Sequence, residues 1–317
     1  MKDVLESNIL QFREDVEEIC DGADKQLRIE KELEKIREIW DNELFEFASF
    51  KNRGEVILKG QVVNEVTEKL EDSMANLNQM LTMKHVKPFR ANAEELLTTL
   101  SDVSDILEHW IKLQQLWMSL ESVFSAGDIA RQMPQDTRTF LKVDKEWCSR
   151  FMAKAKETKT VVGCCCNEYV KSVLSSMMSD LEKCQKALDG YLEAKRNQFP
   201  RFYFVSNPAL LLILSQGTDR VAVQSCFAKV FDSISRVEFE KDNIIAFQNI
   251  EAGYEGANDV EELKLSKPVS VNGNIEDWLG TLEKQMARTM YREVERVAKD
   301  SLDMELPEIL KSTVHKL

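Results

Sequence analysis

The segment from Tyr191 to Gln216 joins two helical patterns through a short aromatic interruption, and it reads YLEAKRNQFPRFYFVSNPALLLILSQ. Pro200 cannot continue the first helix, and it disfavours the α conformation at Phe199. Asn207 can cap a new helix, and Pro208 suits its first position. The sequence therefore predicts two helices that meet at an extended aromatic patch. We call residues 199–204 the elbow, and its members are Phe199, Pro200, Arg201, Phe202, Tyr203 and Phe204.

Three cations lie at the elbow: Lys195 and Arg196 just before it, and Arg201 within it. They could bind the acidic surface of a partner. Alternatively, the two on the helix could interact with the carbonyl groups at its C-terminus, which the helix dipole favours. The sequence leaves both interpretations open.

Apolar residues at steps of three and four predict helices over most of the chain. One regular stretch, from about Ala91 to Ser125, would form a rod of about 52 Å at 1.5 Å per residue. A phase slip near Gly22 predicts two separate helices in the first forty residues, and a break is predicted from Val161 to Cys166. The other predicted helices cover 63–81, 129–133, 140–151, 170–192, about 219–235 and 275–297, with a short one after Pro307.

Two stretches alternate as strands do. One lies at 44–58 around Lys51–Gly54, and the other comprises 244–250 and 262–271 around an acidic, glycine-bearing connection; both are typical of β-hairpins. The predicted fold class is mainly α, an elongated curved stack of long antiparallel helices with two small β-hairpins. The predicted domains are N-terminal amphipathic helices at 1–40, a helical subdomain with the first hairpin at 41–200, and a helical subdomain with the second hairpin at 201–317.

Composition restricts the class of partner. The 317 residues carry 55 acidic and 42 basic side chains, a formal net charge of -13. Nucleic acid, anionic membranes and the acidic microtubule lattice are therefore not expected to bind directly, because like charges repel on approach. The seven cysteines contain no C-x-x-C pair, which argues against a disulfide framework or a zinc knuckle. The longest aliphatic run, Ala209 to Leu214, is too short to span a bilayer, so we expect a soluble protein of a reducing compartment.

No catalytic apparatus is visible in the sequence. None of the eleven glycines precedes a lysine, so a phosphate-binding Gly-Lys-Ser/Thr loop has no candidate. The three histidines are far apart, and we expect no cofactor and no metal. Cys164-Cys165-Cys166 could ligate a metal or sense oxidation, but packing of small apolar side chains is the favoured interpretation. The five tryptophans lie on apolar helical stripes, which favours core packing over ligand binding.

Several segments resemble dynein heavy chains, and they occur in the same order. Together they cover about Ile29 to Val297. Gly127 to Ala130 and the cysteine-rich break are similar to axonemal outer-arm chains, in particular the gamma type. The matching segments are Ile39-Trp40 with Phe45-Glu46-Phe47, Trp117 to Phe124, Gly127-Asp128-Ile129 with Gln132-Met133-Pro134, Phe140 to Trp147, the elbow with its flanking helices, and Gly273 to Leu279.

The resemblance implies a fold and a role. In dynein heavy chains this region is the linker, a curved helical arm between the tail and the first AAA+ module that lies across the ring of ATPase modules. Its bending and straightening deliver the power stroke of ciliary and flagellar motility. The implied location is the cytoplasm and cytoskeleton, in the axoneme. The implied partners are the AAA+ ring of the same heavy chain, other dynein subunits and neighbouring heavy chains.

The resemblance also implies what the chain lacks. The last linker portion, the ring and the stalk are expected to lie outside it, so we expect a non-catalytic fragment without ATPase activity of its own. The second hairpin is predicted to touch the ring through its exposed acidic tip, at Tyr254, Glu255, Asn258 and Asp259. A static helical scaffold that recruits partners is the main alternative, and an enzyme that uses Cys164 to Cys166 is a third.

Overall fold

A computed structural model describes residues 12–125, 127–215, 220–232, 234–252 and 258–301. The structure is 77% helical, with two small antiparallel sheets, and this confirms the predicted mainly α class with two small β elements. Within the described ranges, no helix is both long and apolar enough to cross a membrane. The helices are α1 Arg13–Asn42, α2 Gly60–Thr82, α3 Arg90–Phe124, α4 Gly127–Gln132, α5 Pro134–Glu146, α6 Met152–Thr158, α7 Val161–Cys165, α8 Glu168–Gln198, α9 Asn207–Ser215, α10 Arg220–Val230 and α11 Ile275–Ser301.

The chain divides into two compact units, which do not follow the order of the chain. The first contains the described residues up to Ser122 together with Gln135–Cys184. The second contains Val123–Pro134 and the described residues from Gln185 onward. The predicted domain limits at 40/41 and 200/201 remain a prediction.

The predicted interruption at Gly22 is wrong, because α1 runs through it without a break. A glycine inside a helix costs only about 1 kcal/mol relative to alanine, which a helix of 30 residues tolerates. After Gly22, the side chains of Ile29, Leu33, Ile36 and Trp40 are buried. Val16 and Ile19 before it are exposed. The phase slip therefore marks where the buried face begins and not where a helix ends.

A second correction concerns residues 147–166. The helix that was predicted through Phe151 has α geometry only as far as Glu146. Residues Trp147–Phe151 form a π-helical turn, in which the side chains of Trp147 and Phe151 are both buried. The predicted break at 161–166 is mostly the helix α7. The chain leaves the helical conformation just before it, at Lys159, whose φ is 61°. A residue with positive φ cannot continue a right-handed helix, and lysine gives no sequence signal for that conformation.

The core of the first unit is built on tryptophan, as predicted. Trp40, Trp110, Trp117 and Trp147 are at most 1% exposed. Trp117 stacks on Trp147 with ring centroids 5.8 Å apart, and Trp147 stacks on Phe151 at 5.0 Å. The indole of Trp40 donates to Ser73 Oγ at 3.0 Å. These rings pack against one another, which is the core role that their spacing indicates.

The first hairpin consists of β1, Phe47–Ser49, and β2, Glu55–Leu58, which pair antiparallel. Its turn is held by ion pairs. Lys51 and Arg53 both contact Glu121 of α3, with Arg53 Nε 3.2 Å from Glu121 Oε1. Arg53 also pairs with Asp144 of α5. The hairpin is thus attached to two helices of the first unit through its turn.

The second unit contains a three-stranded antiparallel sheet in the order β3 Arg236–Glu240, β4 Asn243–Ala252, β5 Asn258–Ser270. The hairpin β4–β5 was predicted, but β3 was not, since the preceding helix was expected to reach residue 235. That helix, α10, ends at Val230. The signal for β3 is the alternation of Val237 and Phe239 before a tight turn at Lys241, whose φ is 55°.

A wide bulge in β5 anchors this sheet to α11. Ile244 pairs with Val269, but Ala246 already pairs with Lys264, so residues 265–268 bulge outward. Ser266 lies in the bulge, where its N–H donates to Thr289 Oγ1 at 3.1 Å and its hydroxyl accepts from Gln285 Nε2 at 2.7 Å. Pro268 also lies in the bulge, where its lack of an N–H breaks no hydrogen bond between strands.

A glutamine side chain covers the outer edge of one strand in each sheet. Gln114 of α3 accepts from Leu58 N at 2.7 Å and donates to Leu58 O at 3.4 Å. Gln224 of α10 accepts from Val237 N at 3.1 Å and donates to Val237 O at 2.6 Å. Each amide replaces the peptide group of a missing neighbour strand, which satisfies backbone groups that would otherwise be left unpaired.

Candidate functional site

The elbow lies entirely in the second unit, between α8 and α9. Phe199 leaves the α conformation, with φ -132° and ψ 93°, as the following proline predicts. The segment after it is not extended, however, because Pro200–Phe204 forms a 3₁₀ helix. Phe202 N donates to Phe199 O at 3.0 Å, and Val205 N donates to Phe202 O at 3.1 Å. These short-range bonds satisfy backbone groups that an extended segment would have left exposed.

The four aromatic side chains of the elbow divide into two buried and two exposed. Phe199 and Phe202 are 1% and 0% exposed, and their rings meet edge to face at 5.0 Å. Tyr203 and Phe204 are 51% and 87% exposed. Three residues per turn place 199 and 202 on one side of the 3₁₀ helix. The elbow is therefore not one continuous aromatic patch.

Asn207 was predicted to cap α9, but it is the first residue of that helix. The preceding residue provides the cap position, because Leu210 N donates to Ser206 O at 2.8 Å. The side-chain oxygen of Asn207 instead accepts from Arg196 Nη2 at 2.6 Å. The asparagine thus connects the start of α9 with the end of α8.

All three cations near the elbow have partners inside the second unit. Arg196 donates to the carbonyls of Phe202 and Val205, at 3.4 and 3.2 Å. Lys195 pairs with Glu276 of α11. These carbonyls and this carboxylate do not belong to the C-terminus of α8, so they are not the helix-end contacts that the sequence suggested. Binding of an acidic partner surface stays a prediction.

Arg201 forms the second link between the elbow and α11. Its Nε donates to Glu283 Oε1 at 2.8 Å. Its guanidinium lies over the ring of Phe231, 4.9 Å from the centroid, a distance at which cation–π attraction operates. Glu276 and Glu283 are seven residues apart, which places them on one face of α11.

A tyrosine lies beside the Lys195–Glu276 pair. Tyr191 donates to Gln132 Oε1 at 2.6 Å, and Lys195 Nζ is 5.3 Å from the centroid of its ring. Burial, with a contribution from the nearby Glu276 carboxylate, raises the pKa of Tyr191 to about 12. The phenol is therefore neutral at physiological pH and serves as a packed hydrogen-bond donor.

Of the four residues predicted to contact the ring, the structure describes two, Asn258 and Asp259. Tyr254 and Glu255 lie outside the described residues. The backbone of Asn258 and Asp259 belongs to β5 and pairs with residues 252 and 251 of β4. Pairing of β3 with β4 stops at Arg236 and Gln248, so the β4–β5 ribbon continues beyond the three-stranded sheet.

The cysteine cluster has the character of packing residues. Cys164 and Cys165 are buried and Cys166 is exposed. Burial raises the pKa of the Cys164 thiol to about 11 and that of Cys165 further, which disfavours the nucleophilic thiolate. Among the described residues, no group of three or more cysteine, histidine or acidic side chains could hold a metal ion.

Comparison with known proteins identifies the family. A family model described as "Dynein heavy chain, N-terminal region 2" matches residues 1–297. "Dynein axonemal heavy chain 5" of Rattus norvegicus is 38% identical over 302 residues, 94% of this chain. "Dynein axonemal heavy chain 8" of Homo sapiens is 37% identical over 295 residues, 92% of this chain. "Dynein gamma chain, flagellar outer arm" of Chlamydomonas reinhardtii is 36% identical over 312 residues, 98% of this chain.

These matches confirm the resemblance found in the motifs, including its axonemal character. The chain spans only 8%, 6% and 7% of the length of these three relatives. The similarity thus concerns one region of a much longer kind of protein. By the match over residues 1–297, the chain belongs to the dynein heavy chain family, within its N-terminal region 2.

Proposed function

We propose that this chain is the mechanical linker of an axonemal dynein heavy chain. In this role it bends and straightens across the AAA+ ring and delivers the power stroke of ciliary or flagellar motility. The observation that carries the proposal is the family match over residues 1–297. Catalysis is assigned to ATPase modules elsewhere in the heavy chain, and this chain contributes leverage.

The internal construction of the chain supports a mechanical role. Three helices, α1, α3 and α8, have 30, 35 and 31 residues, whereas an average helix in a globular protein has about 11–12. Buried apolar residues occur along the length of α3 and α8, and long helices packed in this way resist bending. A lever also needs two conformations of nearly equal free energy, so that contacts worth a few kcal/mol select one of them.

The proposed partner is the AAA+ ring of the same heavy chain, with other dynein subunits and neighbouring heavy chains as further partners in the axoneme. The β4–β5 ribbon is proposed to contact the ring. Its pairing continues past the end of β3, and the sequence at its tip is acidic and rich in glycine. A ribbon of this kind can reach a neighbouring surface without rearrangement of the sheet that supports it.

Energy transfer in a complete heavy chain tests the linker function. Donor and acceptor probes are placed near residues 50 and 250, and the transfer efficiency is measured in each nucleotide state. A linker that bends should show at least two efficiencies that follow the nucleotide. One constant efficiency through the whole ATPase cycle contradicts the proposal.

Deletion of Tyr254 to Glu261 from the complete heavy chain tests the ribbon contact. We expect slower microtubule gliding and weaker coupling between ATP hydrolysis and movement. Tyr291→Ala is the control, because this side chain of α11 is 73% exposed in the same unit and should leave both properties unchanged. Normal gliding speed after the deletion would refute the contact.

A static scaffold remains the second candidate because of the N-terminal half of α1. Ile19 and Leu27 are 70% and 46% exposed, and Glu14, Glu17 and Glu18 in the same half of the helix are exposed as well. Exposed apolar side chains in an acidic helix could bind a partner helix. The energy-transfer experiment separates the two candidates, because a scaffold needs no change of distance during the nucleotide cycle.

A further inference from the structure

We infer that the elbow, together with Lys195 and Arg196 at the end of α8, is a fixed corner of the second unit and not a point at which the chain bends. The inference rests on the proposed function in one respect, namely that the chain is a lever that bends. The rigidity of the elbow itself can be measured without a motor.

The first argument comes from the backbone of the elbow. The carbonyl of Phe199 accepts from Phe202 N, and the carbonyl of Phe202 accepts from Val205 N. Arg196 adds hydrogen bonds to the carbonyls of Phe202 and Val205 and reaches the side chain of Asn207. One guanidinium therefore ties the end of α8 to the 3₁₀ helix and to the start of α9. A change in the angle between these helices would have to break these bonds together.

The second argument concerns the charges at two helix ends. Lys195 lies in the last turn of α8, where the helix dipole favours a cation, and Glu276 lies in the first turn of α11, where it favours an anion. The two side chains are only 12% and 2% exposed. Separating a buried pair leaves two uncompensated charges in a poorly solvated place. This pair therefore opposes movement of the end of α8, and of the elbow that follows it, away from α11.

The third argument is that α11 holds this part of the chain at two points, Lys195 in the last turn of α8 and Arg201 in the elbow. Arg201 pairs with Glu283, which lies on the same face of α11 as Glu276 and seven residues further along. The guanidinium of Arg201 also covers the ring of Phe231. Two separated links restrict rotation as well as translation. Segments that move in proteins usually combine exposed backbone hydrogen bonds with few buried apolar contacts. The elbow has bonded carbonyls and two buried phenylalanines.

Amide hydrogen exchange of the purified 317-residue chain tests the inference. Peptides that cover 199–207 should exchange as slowly as peptides from the adjoining part of α8. Lys195→Met should accelerate their exchange at least about tenfold, because it leaves Glu276 buried without its cation. Lys299→Met is the matched control, since it removes a cation from a pair on α11 whose side chains are 69% and 50% exposed, and it should change the exchange of 199–207 little.

Two results would overturn the inference. One is rapid exchange of 199–207 in the unmodified chain, at the rate of unprotected peptides. The other is an equal effect of Lys195→Met and Lys299→Met on that segment. If Lys195→Met does not fold, Glu283→Gln replaces it. Glu283, the partner of Arg201, is 42% exposed, so removal of its charge is a milder change. Exchange of 199–207 in this variant is then compared with that in Lys299→Met. Neither measurement involves the ring, so failure of the motor role leaves this test intact.

Discussion

Replacement of Phe202 by alanine should strongly destabilise the second unit. The ring is 0% exposed, and it meets the ring of Phe199 edge to face at 5.0 Å. Truncation removes the aromatic contact and leaves a cavity at the centre of the elbow. Since the end of α8 and the elbow are each tied to α11, the surrounding chain has little freedom to close that cavity.

The expected loss in the free energy of unfolding is about 3–5 kcal/mol, the range measured for truncation of buried aromatic residues. A site that collapses onto the cavity gives the lower part of such a range, and a rigid site gives the upper part. The edge-to-face ring pair contributes roughly 0.5–1.5 kcal/mol beyond the buried area. We therefore expect a loss of about 4 kcal/mol.

Urea unfolding of the 317-residue chain, followed by circular dichroism, provides the assay. Phe204→Ala is the matched control, because it removes the same kind of side chain from the same 3₁₀ helix at a position that is 87% exposed. Its effect should stay within about 0.5 kcal/mol. A loss below about 1 kcal/mol for Phe202→Ala, or equal losses for both variants, would refute the reasoning about a packed and rigid elbow.

Three further predictions concern an ion pair, a strand edge and a thiol. Lys195→Met and Glu276→Gln should each cost about 3–5 kcal/mol, and the double variant should cost clearly less than their sum; additive losses in urea unfolding would contradict a coupled pair. Gln114→Ala should cost about 1–3 kcal/mol because it leaves the backbone N–H and C=O of Leu58 in β2 unpaired. The control is Gln115→Ala, which changes an exposed neighbour and should be nearly neutral. Similar melting temperatures for the two variants would contradict the role of Gln114 at the strand edge. Burial raises the pKa of Cys164 from 9.0 to about 11, so the thiol's contribution to stability is complete below pH 9 and is lost as the pH rises towards 11. Cys164→Ala should therefore reduce the loss of unfolding free energy between pH 9 and 11. An unchanged dependence of stability on pH in this variant would contradict the prediction.

Much of the fold follows from local patterns in the sequence. The helix predicted from about residue 91 to 125 is observed at Arg90–Phe124, because a long run of apolar residues at steps of three and four can bury one face only as a helix. Both hairpins were also predicted. The strand β3 was missed, since five residues with two apolar side chains are too short to distinguish from the end of a helix.

The candidate site was less predictable than the fold. Pro200 and Phe199 located the elbow, but the sequence could not show that Phe202 is buried while Phe204 is exposed. It also could not pair Lys195 with Glu276, which lies 81 residues further along the chain. Helical spacing shows which residues share a face, but it does not show which other element that face contacts.

The sequence by itself determined which segments form most of the helices and the two hairpins, because backbone sterics and apolar periodicity act over a few residues. The ends of several helices, such as α10 at Val230, were set by tertiary packing. It also determined membership of the dynein heavy chain family through motifs in a common order. Only the tertiary structure decided that the cations of the elbow bind acidic residues of α11 and the backbone of the elbow itself. Contacts between distant parts of a chain depend on how whole helices pack, and no local pattern encodes that arrangement.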